Sequence, residues 1–137
     1  MKVRTYMSND YENVTSLYKQ GIFGGQFDED RDSESRMSRQ VEINPNSILV
    51  CETNGKIVGT VTLIFDKRTA WLFRFAVLEG ENDAYKVLYD EAVKILKQNG
   101  HSQVLVYAPA GHTGLLEKYS NLGFSKGGEY TCFHRKI

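Results

Sequence analysis

Apolar residues change their spacing along the chain, and these changes predict where strands and helices lie. Residues 47–53, 56–65 and 70–78 are apolar runs of strand length, and the first two flank Asn54-Gly55, a strong hairpin signal. Between residues 83 and 98, apolar positions recur every three or four residues, as on the buried face of a helix. Further strands are predicted over 3–7 and 103–107, with a final strand or hairpin over 125–136 around Gly127-Gly128. Further helices are predicted after Asn9, within 28–42 and before Gly123.

The predicted elements follow one another in the order β-α-α-β-β-β-α-β-α-β. A hairpin meander that feeds a β-α-β crossover predicts an α/β fold with a mixed, mostly antiparallel sheet and helices on both of its faces. Asn9 with Glu12 resembles a capping box at the start of the first helix, and Asn99-Gly100 marks the end of the long helix. With 137 residues and no linker or repeat, the chain 1–137 is predicted to be a single domain.

Charge and cysteine content narrow the classes of function. The sequence has 17 Lys plus Arg and 17 Asp plus Glu, so it lacks the net positive charge that attracts nucleic acid, and we expect no nucleic-acid partner. No apolar run is long enough for a signal peptide or a membrane span, so we expect a cytoplasmic protein without a membrane partner. Cys51 and Cys132 stand alone in apolar strands; we expect packed thiols rather than metal ligands, and a disulfide between them stays open.

The most informative segment is QVLVYAPAGHTGLLEKYSNLGF, residues 103–124. It predicts a strand, a Pro-Gly break and a short helix on which Leu115, Tyr119 and Leu122 share one face. Gly123 stands where a helix end favours a left-handed residue. A tyrosine on an apolar face either packs with its hydroxyl bonded to backbone or carries that hydroxyl into a cleft for chemistry.

The element order and this segment together resemble the GNAT superfamily of acetyl-CoA-dependent N-acetyltransferases, over essentially the whole chain. Many members carry a pattern like Asn-(x)6-Tyr-(x)3-Gly-Phe at this point. Tyr119, Gly123 and Phe124 match it, with His112 in the Asn position. Gly59 in KIVGTVTL also fits a strand pattern that is frequent in the family.

The resemblance implies a mechanism in which a primary amine attacks the thioester of acetyl-CoA directly. It implies that backbone N–H groups of Phe75, Ala76 and Val77 meet the acetyl carbonyl and the pantetheine amides. It also implies that Tyr119 donates a proton to the departing thiolate, since a phenol of pKa about 10 can protonate a thiolate whose conjugate acid has a pKa of about 8.5. The acceptor is expected to be a small-molecule or protein amine, and homodimers are frequent in the family.

The loop that would bind the CoA pyrophosphate departs from the family pattern. Members usually have several glycines between the fourth strand and the next helix, whereas LEGENDAYK, residues 78–86, has only Gly80 together with three acidic residues. We expect Asn82 or Asp83 to cap the helix and so to occupy amides that a phosphate would use. The cofactor-binding residues predicted in this turn are Asn82, Asp83, Ala84, Tyr85 and Lys86, joined elsewhere in the chain by His112.

The acceptor site is predicted in the first half of the chain, where Phe23 and Phe27 could line it. The acidic residues 28–30 would favour a cationic amine, although a charge run of this kind is usually a solvated face. Arg74 either pairs with a carboxylate for structural reasons or orients an acidic acceptor. The general base is not identified; the candidates are Glu52, Asp66, Glu79, His112 and His134, or a relayed water.

Two other functions remain open at this point. The acidic loop is compatible with a GNAT-fold protein that no longer uses acyl-CoA and serves as a ligand-binding or interaction module. A plain structural α+β domain is the third alternative, and it gives Tyr119 no reason to line a cleft. A V-shaped gap between strands 70–78 and 103–108 would favour the acetyltransferase and the binding module over the structural domain. Affinity for the cofactor separates the acetyltransferase from the binding module.

Overall fold

A computed structural model describes residues 1–20 and 27–137 of the chain. Within these residues the helices and strands follow the predicted order with one exception, the last strand. The elements are β1 (Lys2–Thr5), a 3₁₀ turn (Ser8–Asp10), α1 (Tyr11–Gln20), α2 (Glu34–Ile43), β2 (Ile48–Thr53), β3 (Lys56–Phe65), β4 (Ala70–Val77), α3 (Asp83–Gln98), β5 (Leu105–Val106) and α4 (Thr113–Asn121).

The strands of the described chain form one mixed sheet in the order β1-β2-β3-β4-β5. The first four strands are antiparallel neighbours, and β5 joins β4 in parallel. Asn54 and Gly55 have φ values of 51° and 74°, which are the left-handed conformations that a two-residue hairpin requires. The predicted mixed, mostly antiparallel α/β fold is therefore confirmed.

Helices cover both faces of the sheet. On one face, α1 and α2 bury Val14, Leu17, Tyr18 and Met37 against Ile48, Val50 and Ala76 of the sheet. On the other face α3 packs at Gly59, where an added Cβ would lie 2.9 Å from Cδ1 of Leu88. The sheet is thus buried between two helical layers, in agreement with the prediction.

The N-terminal end of α1 is stabilised by other contacts than the sequence predicts. The expected capping box of Asn9 and Glu12 is wrong, because the chain first makes a 3₁₀ turn. Asp10 accepts a hydrogen bond from the backbone N–H of Met7 at 2.8 Å. Its two carboxylate oxygens also accept from Nη1 and Nη2 of Arg4, at 2.7 and 2.9 Å.

Residues 125–136 form neither the final strand nor the hairpin that their sequence predicts. A strand exists only through pairing, and the described chain pairs no neighbour with this segment. Tyr130 and Phe133 are exposed as a result. Cys132 is exposed as well, so the prediction of a packed thiol is right for buried Cys51 and wrong for Cys132; both are free thiols.

Contacts divide the chain into two compact units, residues 1–107 and residues 108–137. The first unit contains the sheet with α1, α2 and α3, and the second contains α4 and the C-terminal segment. The prediction of a single domain stays a prediction. In the described ranges no helix is long and apolar enough to cross a membrane.

Candidate functional site

Strand β4 has neighbours on both sides only at its start. It pairs with β3 along its length, whereas β5 pairs with Trp71 and Leu72 alone. From Phe73 to Val77, the edge of β4 on the β5 side has no strand partner within the described chain. An edge of this kind presents backbone N–H and C=O groups that are suited to an extended ligand.

A β-bulge interrupts β4 in the middle of this edge. Arg74 and Phe75 together oppose the single residue Val61 of β3. Arg74 has a φ of 49°, a left-handed conformation that costs an L-residue roughly 1–2 kcal/mol. Because an extra residue reverses the side-chain alternation, Arg74 lies on the face of α1, and the ring of Phe75 lies 5.0 Å from Tyr85 of α3.

The strained arginine is paired with a carboxylate from the connection between α1 and α2. Asp32 accepts hydrogen bonds from Nε of Arg74 at 3.2 Å and from Nη2 at 2.8 Å. Asp32 is 6% exposed and Arg74 is 8% exposed. The guanidinium also lies over the rings of Phe73 and Tyr18, at 4.7 and 5.7 Å. This is the pairing that the structural alternative for Arg74 requires; its role in orienting an acceptor stays a prediction.

Two buried phenols lie near the bulge. Burial raises the pKa of Tyr18 to about 12, and burial likewise raises the pKa of Tyr85 to about 12. Desolvation disfavours the phenolate, so both side chains remain neutral at pH 7.

The first turn of α3 follows β4 after the loop of residues 78–82. The predicted side-chain cap by Asn82 or Asp83 is wrong, because Asn82 is the N-cap and its side chain makes no capping hydrogen bond. Asn82 has helical φ and ψ of −56° and −31°, whereas a capping side chain needs an extended backbone. Two amides of the turn bond to backbone instead: Ala84 N–H to Glu81 O and Tyr85 N–H to Asn82 O.

The charged side chains of this loop lie mainly at the surface. Glu79 and Asp83 are exposed, and Glu81 is half-buried. Lys86, the cation predicted to meet a phosphate, is exposed and forms an ion pair with Asp90 one turn later, with Nζ and Oδ2 at 2.5 Å. At 0.1 M salt the field of such exposed charges decays over about 10 Å.

Helix α4 begins at a histidine cap. Nδ1 of His112 accepts a hydrogen bond from the N–H of Leu115 at 3.2 Å. Nδ1 therefore carries no proton, which leaves Nε2 as the protonated nitrogen of the neutral ring. His112 stands in the family pattern at the Asn position, and asparagine is itself a preferred N-cap residue.

The Tyr-(x)3-Gly-Phe pattern coincides with the C-terminal cap of α4. Phe124 N–H donates to Tyr119 O at 3.0 Å, and Gly123 N–H donates to Ser120 O at 2.9 Å. Gly123 has a φ of 91°, and the rings of Tyr119 and Phe124 lie 5.7 Å apart. These are the two bonds, the left-handed residue and the apolar contact of a Schellman motif. The pattern thus has a structural cause, in addition to any role of the buried Tyr119 hydroxyl.

Comparisons with known proteins find similarity in structure alone. No family model and no curated protein matches the sequence. The fold matches an aminoglycoside antibiotic 6'-N-acetyltransferase from Acinetobacter haemolyticus with a TM-score of 0.75, at 13% identity over 100% of this chain and 99% of that one. A glucosamine-6-phosphate N-acetyltransferase from Arabidopsis thaliana matches with a TM-score of 0.73, at 16% identity and 98% coverage of both chains.

A third structure was solved with a cofactor. The PaiA N-acetyltransferase from Thermoplasma acidophilum, in complex with coenzyme A, has a TM-score of 0.70 and 18% identity; 88% of this chain and 87% of that chain are covered. The chain has the GNAT fold. At identities of 13–18%, the likeness establishes the fold, and the chemistry has to be argued from this chain's own residues.

In this GNAT fold, Phe27 and Asp28 of the predicted acceptor site have contacts within their own part of the chain. Phe23 lies outside the described residues. Phe27 is half-buried against the core, and Nζ of Lys19 lies 4.4 Å from the centre of its ring. Asp28 accepts hydrogen bonds from the backbone N–H of Arg31 and of Asp30, and the bond from Arg31 is the main cause that lowers the pKa of Asp28.

The candidate bases are mostly engaged in hydrogen bonds or exposed to solvent. Glu52 pairs with Arg4, and Asp66 accepts from the turn between β3 and β4. Glu79 and His134 are exposed. The base therefore stays unassigned. No group of three His, Cys, Asp or Glu side chains within the described part of the GNAT fold could hold a metal ion.

Asp32 is the site residue that sequence reasoning missed. It was visible only as one of six acidic residues between positions 28 and 42. Its partner lies 42 residues away in β4, and no local pattern announces such a pairing. The one available signal was Arg74 itself, a cation within an apolar strand, which requires a partner when it is buried.

Proposed function

We propose that the protein is an N-acetyltransferase that moves an acetyl group from acetyl-CoA to a primary amine of a small molecule or a protein. The observation that carries this proposal is the edge of β4 beyond Leu72, which has a bulge at Arg74 and leads directly to the uncapped first turn of α3. An extended edge followed by a helix N-terminus suits a ligand with an amide-bearing arm and a pyrophosphate.

The acyl end of the cofactor would bind at the bulge. We assign the backbone N–H groups of Phe75 and Val77 to the thioester carbonyl and the pantetheine amides. The N–H of Ala76 alternates with that of Val77 and faces β3, as does the N–H of Leu78, which donates to Val58 O at 2.8 Å. The attacking nitrogen forms a bond to the carbonyl carbon, and the negative charge that develops on its oxygen is stabilised by such fixed donors. The C–S bond then breaks, and the acetyl group stays on the amine, which loses a proton to a base.

The pyrophosphate would bind at the first turn of α3, residues 82–86. A helix N-terminus carries a partial positive charge and unsatisfied N–H groups that attract phosphate without help from side chains. The missing side-chain cap at Asn82 supports this assignment, and so does the exposure of Glu79 and Asp83, whose charge is screened by solvent. The N–H groups of Ala84 and Tyr85 already bond to backbone carbonyls, so a phosphate would replace these bonds or use the other amides of the turn.

Tyr119 would protonate the departing thiolate. Its match to the family pattern supports this role, and its burial supports a hydroxyl withheld from bulk solvent. Free thiols have a pKa of about 8.5 and phenols of about 10, so the proton transfer needs only a modest bias from the site.

A cationic amine is the acceptor class that we favour. Asp28, Glu29 and Asp30 stand near Phe27 in sequence and supply negative charge, partly offset by an ion pair between Asp30 and Arg36 at 3.2 Å. The predicted role of Arg74 toward an acidic acceptor competes with its bonds to Asp32, which engage Nε and Nη2.

The test is an acetylation assay with acetyl-CoA and spermidine, lysine amide or glucosamine as acceptors, read by free thiol release and by product mass. Tyr119→Phe keeps the ring contact with Phe124 and removes the proton donor, so it should lower kcat by about 100-fold, the lower range for general acid catalysis. Tyr130→Phe, in the exposed C-terminal segment, is the matched control and should keep full activity. Equal activity of both variants would remove Tyr119 from the mechanism.

The second candidate function is a GNAT-fold binding or interaction module that does not use acyl-CoA. The acidic loop favours it, since Glu79, Glu81 and Asp83 bring negative charge to the first turn of α3 and Lys86 is already paired with Asp90. This function predicts no measurable affinity for CoA, which separates it from the acetyltransferase.

A further inference from the structure

The ion pair of Arg74 and Asp32 joins the bulge of β4 to a segment 42 residues earlier. Both side chains are more than nine-tenths buried. Two nearly parallel hydrogen bonds from one guanidinium to one carboxylate fix the relative orientation of the two groups as well as their distance. A single bond or a lone lysine would leave that orientation free.

Asp32 is held in place independently of Arg74. Its Oδ2 accepts a hydrogen bond from the backbone N–H of Asp28 at 2.8 Å, and its own N–H donates to Asp28 O at 2.8 Å. The hydroxyl of Tyr11, on α1, donates to the backbone carbonyl of Asp32 at 3.0 Å. The carboxylate is therefore anchored to the α1 side, and the constraint acts from there on the strand.

Arg74 needs such a constraint. It is one of two non-glycine residues with positive φ in the described chain, and the other, Asn54, lies in a hairpin turn where that conformation is expected. In a strand, relaxation of Arg74 toward extended φ would remove or shift the bulge. A shifted bulge turns the following residues to the opposite face and moves the N–H groups of Phe75 and Ala76.

We infer that Asp32 is a positioning residue for acetyl transfer: through Arg74 it holds the bulge whose backbone N–H groups receive the thioester carbonyl. This inference rests on the proposed function. It also gives Arg74 a task that differs from binding an acidic acceptor. A positioning residue of this kind affects the chemical step more than cofactor affinity, because the pyrophosphate would bind to the backbone of the first turn of α3, which lies outside the bulge.

The chain offers a closely matched control. Asp10 also accepts two hydrogen bonds from one arginine, Arg4, and is 5% exposed, close to the 6% of Asp32. Asp10 lies beside β1, and two strands, β2 and β3, separate β1 from β4 in the sheet. Asp32→Asn and Asp10→Asn therefore each remove a buried carboxylate that accepts two bonds from an arginine, and only the first touches the bulge. Arg4 keeps Glu52 as a second partner.

The experiment compares these two variants with the wild type in steady-state acetylation with acetyl-CoA and spermidine. Asp32→Asn should lower kcat by about 10-fold or more with the KM for acetyl-CoA changed less than about threefold, as expected for misplaced donors. Asp10→Asn should leave both constants near the wild-type values. Arg74→Lys, which keeps the charge and loses the paired bonds, should behave like Asp32→Asn. Equal kcat values for Asp32→Asn and Asp10→Asn would overturn the inference.

Backbone amide chemical shifts of the unliganded protein, assigned residue by residue by NMR, provide a readout that does not depend on activity. In Asp32→Asn, the amide shifts of Phe75 and Ala76 should change and that of Val50 should not; in Asp10→Asn, the shifts of Phe75 and Ala76 should stay as in the wild type. Unchanged shifts of Phe75 and Ala76 in Asp32→Asn overturn the inference even if kcat falls. A wild type that transfers no acetyl group, with the shift difference intact, overturns the proposed function and the catalytic role of Asp32 but shows that Asp32 holds the bulge.

Discussion

Single side chains at the ends of helices stabilise the first or last helical turn. His112 is the clearest case, since one ring nitrogen closes the first turn of α4 by accepting the N–H of Leu115. The same position takes Asn in many GNAT members, and both residue types offer one acceptor at the reach of an N-cap side chain. A capping role therefore accounts for either residue without reference to a cofactor.

Replacement of His112 tests that role. His112→Ala removes the cap and should lower the free energy of unfolding by about 1 kcal/mol, whereas His112→Asn should stay within roughly 0.5 kcal/mol of the wild type. Urea unfolding followed by far-UV circular dichroism measures both values. An Asn variant as unstable as the Ala variant would show that the ring is needed for something other than its acceptor nitrogen.

Asp10 gives the protein a dependence of stability on pH. Burial tends to raise its pKa, but the hydrogen bonds from Arg4 and from the Met7 backbone outweigh burial and lower the pKa in the folded state. A lowered folded pKa means that the stabilisation is complete above the unfolded value of about 3.9 and is lost as the pH falls through the folded pKa.

The corresponding variant is Asp10→Asn. At pH 7 it should be less stable than the wild type by about 1–3 kcal/mol, the usual contribution of hydrogen bonds to a charged group. The difference should shrink in urea unfolding at pH 3 and below, where the wild-type carboxylate takes up its proton. A difference that stays constant between pH 7 and pH 2.5 would contradict this assignment.

At the scale of elements, signals that act within a few residues were read correctly from the sequence. Asn54-Gly55 forms the hairpin, and α3 runs from Asp83 to Gln98 and ends with Gly100 at a φ of 87°. Features that depend on how strands pair with one another were not predicted correctly. The bulge at Arg74 arises from the register between β3 and β4, and no property of the run WLFRFAV alone specifies it.

The C-terminal segment is a second case in which strand pairing, and not local sequence, decides the structure. Residues 125–136 have a composition that favours a strand, but no strand of the described sheet pairs with them. Strand β5 is also shorter than predicted, with Leu105 and Val106 in place of residues 103–107. Propensity describes a strand's fit to a sheet, and the sheet itself decides which residues are paired.

Close packing of α3 on β3 depends on Gly59. A Cβ at this position would lie 2.9 Å from Cδ1 of Leu88 and 3.2 Å from Cγ2 of Val77. Leu88 is fully buried and has little room to move. Gly59→Ala should therefore lower the free energy of unfolding by about 1–3 kcal/mol, as overpacked cores do.

The control for this prediction is Gly127→Ala, because an added Cβ at Gly127 has no neighbour within 4 Å. It should be nearly neutral in the same urea titration. In a double-mutant cycle, Leu88→Val should recover part of the loss caused by Gly59→Ala, since the two side chains compete for one space. Strictly additive effects would mean that the helix and the strand adjust by backbone movement instead.

At the scale of the whole molecule, the order of elements was enough to identify the fold but not the chemistry. The solved structures that share the fold have 13–18% identity with this chain, and a fold of this kind hosts different functions. The case for acetyl transfer therefore depends on particular places: the open edge and bulge of β4, the first turn of α3 and the buried Tyr119. The sequence does not predict the bulge of β4, which depends on the pairing with β3. It also predicts a side-chain cap at Asn82, which is absent from the first turn of α3.

Binding of acetyl-CoA tests the central claim most directly, by a thermal-shift titration of the purified protein. A ligand at 100 times its dissociation constant stabilises the folded state by about 2.7 kcal/mol, which is a readily measured rise in Tm. The account predicts a saturable rise with acetyl-CoA and with CoA. An unchanged Tm at millimolar concentrations of both would contradict the acetyltransferase and favour the binding module.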